Sequence, residues 1–288
     1  RRLRRDAKDF CRIWVIDKKA LECKMSRIQI SDFKGKMINM HTHTARCQHA
    51  KGEDREYVEK AIEAGFEVLG MSDHVPYAFE EGYISPIRMR WDELDGYVDS
   101  VLSLKKEYEK DIEIYCGFET EYFPDYFERT MERLEPYPID YMLLGQHYYD
   151  NEIGKISPKN GWGDEAHLKM YIDRVMAGIK TDRFLYVAHP DIMQFWGDLA
   201  IYRKHMRPLI QEMKRRGMPI EINMNGLRSG LHYPTPEFVE MAVEEGCDFI
   251  VGVDAHSPRQ MVDFKTYQAC IDFAESRGGH VINQLQIK

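Results

Sequence analysis

From Met37 onward, short apolar runs alternate with amphipathic stretches of helical period, about seven times over roughly 250 residues. The apolar runs end at Met40, Met71, Gly117, Leu144, Ala188, Ile222 and Val253. Between them lie helical stretches over 56–64, 91–110, 126–134, 164–180, 199–216 and 236–245, with a last one over 260–277. Gly65, Gly217 and Gly246 follow three of these stretches, where a glycine closes a helix C-terminus. Such alternation predicts parallel strands joined by crossover helices, and either a closed barrel or an open doubly wound sheet would satisfy it. The residues at the strand ends separate the two. Nearly every strand delivers His, Asp or Glu at its C-terminal edge, where barrels place their chemistry, whereas an open sheet gathers ligands at one switch point. No glycine-rich dinucleotide or phosphate loop follows any strand. The barrel is the expected fold, in a single domain.

The first strand runs into His41-Thr42-His43 and the last into Asp254-Ala255-His256. Side chains at i and i+2 of a strand share a face, so each pair projects together. In a closed barrel the first and last strands are neighbours, which makes the two pairs converge. The other strand ends supply Asp73, His74, Glu119, His147 and His189, and His49 lies in the first loop. Imidazole and carboxylate without clustered cysteine suit zinc, manganese or iron. Eight or nine ligands exceed what one ion uses, and a carboxylate such as Glu119 can bridge two, so a multinuclear site is expected. Asp73 reads equally as an outer partner that orients a ligand imidazole. His167, His205 and His280 read as structural. His232 follows a strand and is a weaker candidate for lining a pocket.

Composition bounds the rest. Of the 288 residues 43% are hydrophobic and 31% charged, and the net charge is −8, which disfavours nucleic acid and anionic membranes as partners. No apolar run approaches the ~20 residues of a membrane-spanning helix, and no signal-like segment opens the chain. The six scattered cysteines fit reduced thiols in a cytoplasm. Charge is uneven: residues 1–36 hold twelve basic against five acidic residues. That segment reads as a poorly packed basic extension, and residues 37–288 as the catalytic domain.

The ordered set His41-Thr42-His43, His49, Asp73-His74, Glu119, His147, His189 and Asp254-Ala255-His256 resembles the motifs of the PHP (polymerase and histidinol phosphatase) superfamily, from Met37 to the C-terminus. The resemblance implies a distorted (β/α)7 TIM-like barrel with three divalent ions (Zn, Mn or Fe). By the same resemblance, His41, His43, Glu119 and Asp254 would hold one ion. Glu119 would bridge to a second on His147 and His189, and His49, His74 and His256 would hold the third. Ser72-Asp73-His74-Val75-Pro76, Arg88-Met89, the run 117–122, Glu221-Ile222-Asn223, Gly226-Leu227-Arg228 and Tyr233-Pro234 resemble histidinol-phosphatase members in particular. Gln146 departs from the small residue expected before His147.

The expected activity is hydrolysis of L-histidinol phosphate, a small phosphate ester, by a metal-bridging hydroxide. Glu119, Asp254 and His256 are the residues expected at the chemistry. Arg228 and, after it, Arg88 are the candidates to clamp the phosphate. Asp254 or a metal-bound water would protonate the leaving alkoxide. Glu121, Glu81 or Asp191 would face the substrate's ammonium group. Two alternatives stay close: another PHP phosphoesterase, and an amidohydrolase barrel, which lacks its mid-chain lysine here. A non-catalytic metal-binding barrel is the third.

Overall fold

The computed structural model describes Ile28, residues 30–80 and residues 82–283. All seven expected strands form: β1 (Ile38–Asn39), β2 (Val68–Met71), β3 (Glu113–Thr120), β4 (Tyr141–Leu144), β5 (Tyr186–Val187), β6 (Ile220–Asn223) and β7 (Asp248–Gly252). A two-residue strand, β8 (His280–Val281), follows the last helix and adds to β7, which places His280 in the sheet. Every pairing is parallel, in the orders β1-β2-β3-β4-β5 and β6-β7-β8. The strands are nearly all buried on both faces, as crossover helices require.

Side chains and loop residues close the two sheets into a distorted barrel. Between β5 and β6, Glu221 Oε2 accepts the His189 amide at 2.7 Å. Between β7 and β1, the Asn283 amide donates to Ile38 O (2.7 Å) and Val251 O (3.0 Å), and accepts from Val251 N (2.9 Å). Just beyond the strand ends Thr42 bridges Ala255, with His43 N on Ala255 O at 2.9 Å. The first and last strands are therefore neighbours, and the two His-bearing pairs meet.

Eight α-helices are described: α1 (Asp54–Ala64), α2 (Leu94–Glu107), α3 (Phe127–Leu134), α4 (Glu165–Ile179), α5 (Leu199–Arg215), α6 (Met224–Arg228), α7 (Pro236–Glu244) and α8 (Phe264–Glu275). Their starts are written locally. Asp164 accepts from His167 N, Thr235 from Phe238 N and Asp263 from Thr266 N, each relieving an unsatisfied first-turn amide. The short α6 is a correction: Arg228 ends a helix capped by Asn223 and does not lie on a loop. The basic extension is described only in part. Residues 1–27 and 29 lie outside the described residues, but Ile28 is buried in the core and Lys36 pairs with Glu113. Packing of the domain thus begins before Met37.

Candidate metal centre

The C-terminal strand edge brings all nine expected ligands into one cluster. His43, His49, His74, Glu119, His147, His189, Asp254 and His256 line a cleft of about 420 Å³, with His41 fully buried beneath them. Glu119 lies at the middle. Its Oε1 faces His189 Nε2 (2.9 Å) and His147 Nε2 (3.5 Å). Its Oε2 faces His41 Nε2 (3.4 Å), His43 Nε2 (3.3 Å) and His74 Nδ1 (3.3 Å). Asp254 Oδ1 stands 3.6, 3.3 and 3.4 Å from nitrogens of His41, His43 and His256. At the rim, His49 and His256 point their Nε2 atoms at each other, 3.0 Å apart.

These donors fit divalent metal ions. His41 Nε2, His74 Nδ1 and Asp254 Oδ1, which face the cluster, are buried without a hydrogen-bond partner, a state that is costly unless something else satisfies them. Four groups of three ligand atoms, each within 4.8 Å of one another, can hold an ion: His41–His43–Asp254, His41–Glu119–His189, His43–His74–Glu119 and His43–Cys47–His256. In the last, burial pushes the Cys47 thiol up to about 11, so it stays protonated at neutral pH. His189 and Asp254 also hold left-handed backbone (φ 32° and 47°), strain of a kind that non-glycine residues keep mainly at functional sites.

A layer of carboxylates and carbonyls behind the ligands fixes the imidazoles. His41 Nδ1 meets Glu221 Oε1 at 2.8 Å and His147 Nδ1 meets Glu121 Oε1 at 3.0 Å. Asp73 takes the outer position considered for it: it binds the Thr44 amide at 2.9 Å and stands 3.8 Å from His43 Nδ1. Glu221 was not assigned a role from the sequence, although an acidic residue inside an apolar strand is a readable signal. Gly145 and Gly252 make room for this chemistry. A Cβ at either would lie 1.8 Å from Glu119 Oε1 or Glu221 Oε1, respectively.

Electrostatics sort the histidines. Burial lowers His41 and His43, yet carboxylates outweigh it, Glu221, Asp254 and Glu119 for His41, and Asp254, Asp73 and Glu119 for His43; both stand well above the ordinary imidazole value. Burial prevails at His147 and His256, which fall to about 4, and His74 also falls well below the ordinary value. Glu119 and Asp254 resist burial and stay well below the usual carboxylate range, because the surrounding imidazoles favour their charge.

Several expected residues stand elsewhere. Arg88 is fully buried and held by Glu121 (2.7 Å) and Glu152 (2.5 Å), so its guanidinium is committed to two carboxylates and does not line the cleft. Glu121 meets Arg88 and His147 through Oε1, and the buried Asp191 accepts from Thr235 N; neither lines the cleft to face a substrate cation. Glu81 lies outside the described residues. Arg228 bonds Asn225 Oδ1 at 3.0 Å, directly behind the cleft wall, and keeps one buried Nη1 without a partner. Gln146 faces away from the cleft, bridging Tyr122 and Tyr148 backbone, which accounts for its departure from a small residue. His232 bonds Ile192 O and lines a neighbouring groove instead. His167 and His205 hold helix-end carboxylates, and His280 pairs with Asp248. Lys159, Ser157 and Tyr148 line the cleft without having been singled out in the sequence, and Tyr233 of the Tyr233-Pro234 pair joins them.

Comparisons with known proteins agree with this geometry. The model of the PHP domain family matches residues 39–225. The histidinol-phosphatase of Bacillus subtilis is 26% identical over 247 residues, covering 75% of this chain and 92% of that protein. A Deinococcus radiodurans protein named "Probable histidinol-phosphatase" is 26% identical over 244 residues, covering 78% and 88%. Among solved structures, histidinol phosphate phosphatase of Lactococcus lactis, crystallised with zinc, L-histidinol and phosphate, has a TM-score of 0.65 at 16% identity. It covers 86% of this chain and 95% of that one, a likeness of fold. Among the described residues no helix is long and apolar enough to cross a membrane. The chain belongs to the PHP domain family, as a histidinol-phosphatase-like phosphomonoesterase.

Proposed function

We propose that this chain hydrolyses L-histidinol phosphate to L-histidinol and phosphate. The observation that carries the reading is Glu119, whose two oxygens each face a separate group of imidazoles in an open cleft. The relatives' names supply the substrate. In this reading His41, His43, Glu119 and Asp254 hold one divalent ion (Zn, Mn or Fe), and Glu119, His147 and His189 a second. His49, His74 and His256 hold a third. Bound there, such ions neutralise phosphoryl oxygens and lower the pKa of water toward neutrality.

The chain's own groups do the rest. With ions held there, the buried cluster would place the reacting phosphorus over the floor formed by Glu119 and Asp254 and keep bulk water from it. Asp254 is held ionised by His41, His256 and His43, against its burial, and Asn223 and Asn225 hold its Oδ2 at 3.1 and 3.3 Å. A carboxylate held charged in this way is a weak base and a poor acid, which suits it to holding an ion, and the departing alkoxide would take its proton from water. Arg228 stays the candidate guanidinium for the phosphate, since it keeps one buried Nη1 without a partner and bonds Asn225, which lines the cleft.

Steady-state rates on L-histidinol phosphate, measured beside nucleotide and sugar phosphates, test the reading. Histidinol phosphate should lead in kcat/KM by about two orders of magnitude, more than a single missing contact gives. A flat panel, or a peak elsewhere, removes histidinol phosphate as the substrate and leaves a phosphoesterase for another small ester.

A further inference from the structure

Lys159 stands on a short turn (Pro158–Asn160) after β4 and lines the same cleft as the ligands. The turn is fixed to the site at both ends. Ser157 Oγ donates to the carbonyl of His147 at 2.7 Å and accepts the Lys159 amide at 3.1 Å. Pro158 O accepts Gln194 N at 3.2 Å, and Trp162 N donates to Gln194 O at 2.9 Å, tying the turn to the segment that follows His189. Trp162 Nε1 closes it on Ser157 O at 2.9 Å.

On this rigid mount Lys159 makes no side-chain hydrogen bond or ion pair with any of the described residues. Arg88 and Arg228 each keep one buried Nη1 without a partner, but neither lines the cleft, and Lys159 does. Lys159 is exposed as a residue, but protein crowds its ammonium enough that desolvation lowers its pKa, with Asp254, Glu119 and Glu121 opposing. Those carboxylates are the ones that divalent ions would neutralise. An ammonium held beside a cluster that gathers cations is repelled by them unless an anion lies between. A lysine with no partner of its own, fixed at that place, is a site for an anion that arrives with the substrate.

We infer that Lys159 is a substrate-contacting residue that binds the phosphate group of the monoester, from the turn joined to His147. The inference rests on the phosphomonoesterase reading above and adds a residue to it. The ammonium acts as a point charge on a phosphate oxygen and transfers no proton.

The test uses the full chain loaded with zinc or manganese, with inorganic phosphate as the probe in calorimetric titration and KM measured on a phosphate monoester. Lys159→Ala should weaken phosphate binding and raise KM by about tenfold or more, the scale of one charge-assisted hydrogen bond. Lys159→Arg should stay within about threefold of the parent, since it keeps the charge. Lys155→Ala, on the same loop but outside the cleft lining, should change neither. Metal content and melting temperature are measured alongside, and Lys159→Gln carries the same expectation should the alanine variant lose metal. Phosphate affinity within twofold of the parent, at full metal content, overturns the inference. A parent chain that turns over no monoester overturns the functional reading alone, because phosphate titration still judges Lys159. A parent that neither turns over a monoester nor binds phosphate overturns both.

Discussion

Glu221→Gln tests whether the carboxylates behind the ligands set the state of the site. Glu221 receives three donors on two oxygens: His41 Nδ1 on Oε1 at 2.8 Å, and on Oε2 the His189 amide at 2.7 Å and Asn223 Nδ2 at 3.2 Å. All of these groups are buried. A carboxylate satisfies donors on both sides; an amide of the same shape satisfies them on one. With its oxygen toward His41, the glutamine NH2 meets the His189 and Asn223 donors head-on. Turned over, it meets His41 Nδ1 and drives the imidazole proton onto Nε2, the atom that faces Glu119 and Asp254. Either arrangement forfeits a buried hydrogen bond, about 1–3 kcal/mol. At about 1.4 kcal/mol per decade this predicts a loss of metal affinity of roughly 10–100-fold, the usual effect of removing such a partner. The assay is a chelator-buffered metal titration of each protein, with kcat at saturating metal as its companion. Affinity should fall while kcat at saturation changes little. Metal affinity within twofold of the parent refutes the claim that Glu221 fixes the His41 tautomer.

Gly145→Ala should abolish activity by about a hundredfold or more, because its Cβ would lie 1.8 Å from Glu119 Oε1 and must displace the central carboxylate; near-parent turnover would show that Glu119 moves freely. Arg228→Ala should lower kcat/KM by at least about tenfold if the free Nη1 reaches phosphate, and a smaller loss argues against the clamp. For the metal-free chain, His147 and His256 titrate at about 4 when folded against 6.5 ordinarily, so the unfolded state binds more protons between those values. Stability therefore falls as pH drops from 6.5 to 4, by roughly 3 kcal/mol per histidine, while the raised His41 and His43 contribute fully below 6.5 and lose their contribution as pH rises. Urea unfolding across pH 4–9 reads this, and a flat profile from 6.5 down to 4 contradicts it.

The barrel and the strand-end cluster were legible because both are local signals. Each strand end carries its ligand within a few residues of an apolar run, and Gly65, Gly217 and Gly246 mark helix ends by their chemistry alone. Elements too short for a period were not legible: β8 has two residues and α6 five. Arg88 was misplaced because its fate depends on Glu121 and Glu152, 33 and 64 residues away, which no local pattern connects. Lys159 was passed over for the opposite reason. Nothing near it in sequence marks it, and only the fold shows that the turn bearing it is pinned to His147.

The depth of each imidazole decides what stands behind it. On the floor, His41 backs onto Glu221, and His147 backs onto Glu121, which Arg88 anchors in turn. At the rim, His49 Nδ1 meets the Cys47 carbonyl at 2.7 Å and His256 Nδ1 the Asp254 carbonyl at 3.0 Å, each only two residues back in the chain. Negative charge is thus concentrated under the cluster, while neutral imidazoles, with Lys159 beside them, form the mouth. This layering answers an apparent conflict in the sequence. A chain of net charge −8 should repel a phosphate dianion. It does not need to attract one through its overall field, because the acidic groups nearest the cleft, Glu119 and Asp254, belong to the ligand layer itself, where divalent cations would cancel them. What the substrate meets is then the cationic side of the site.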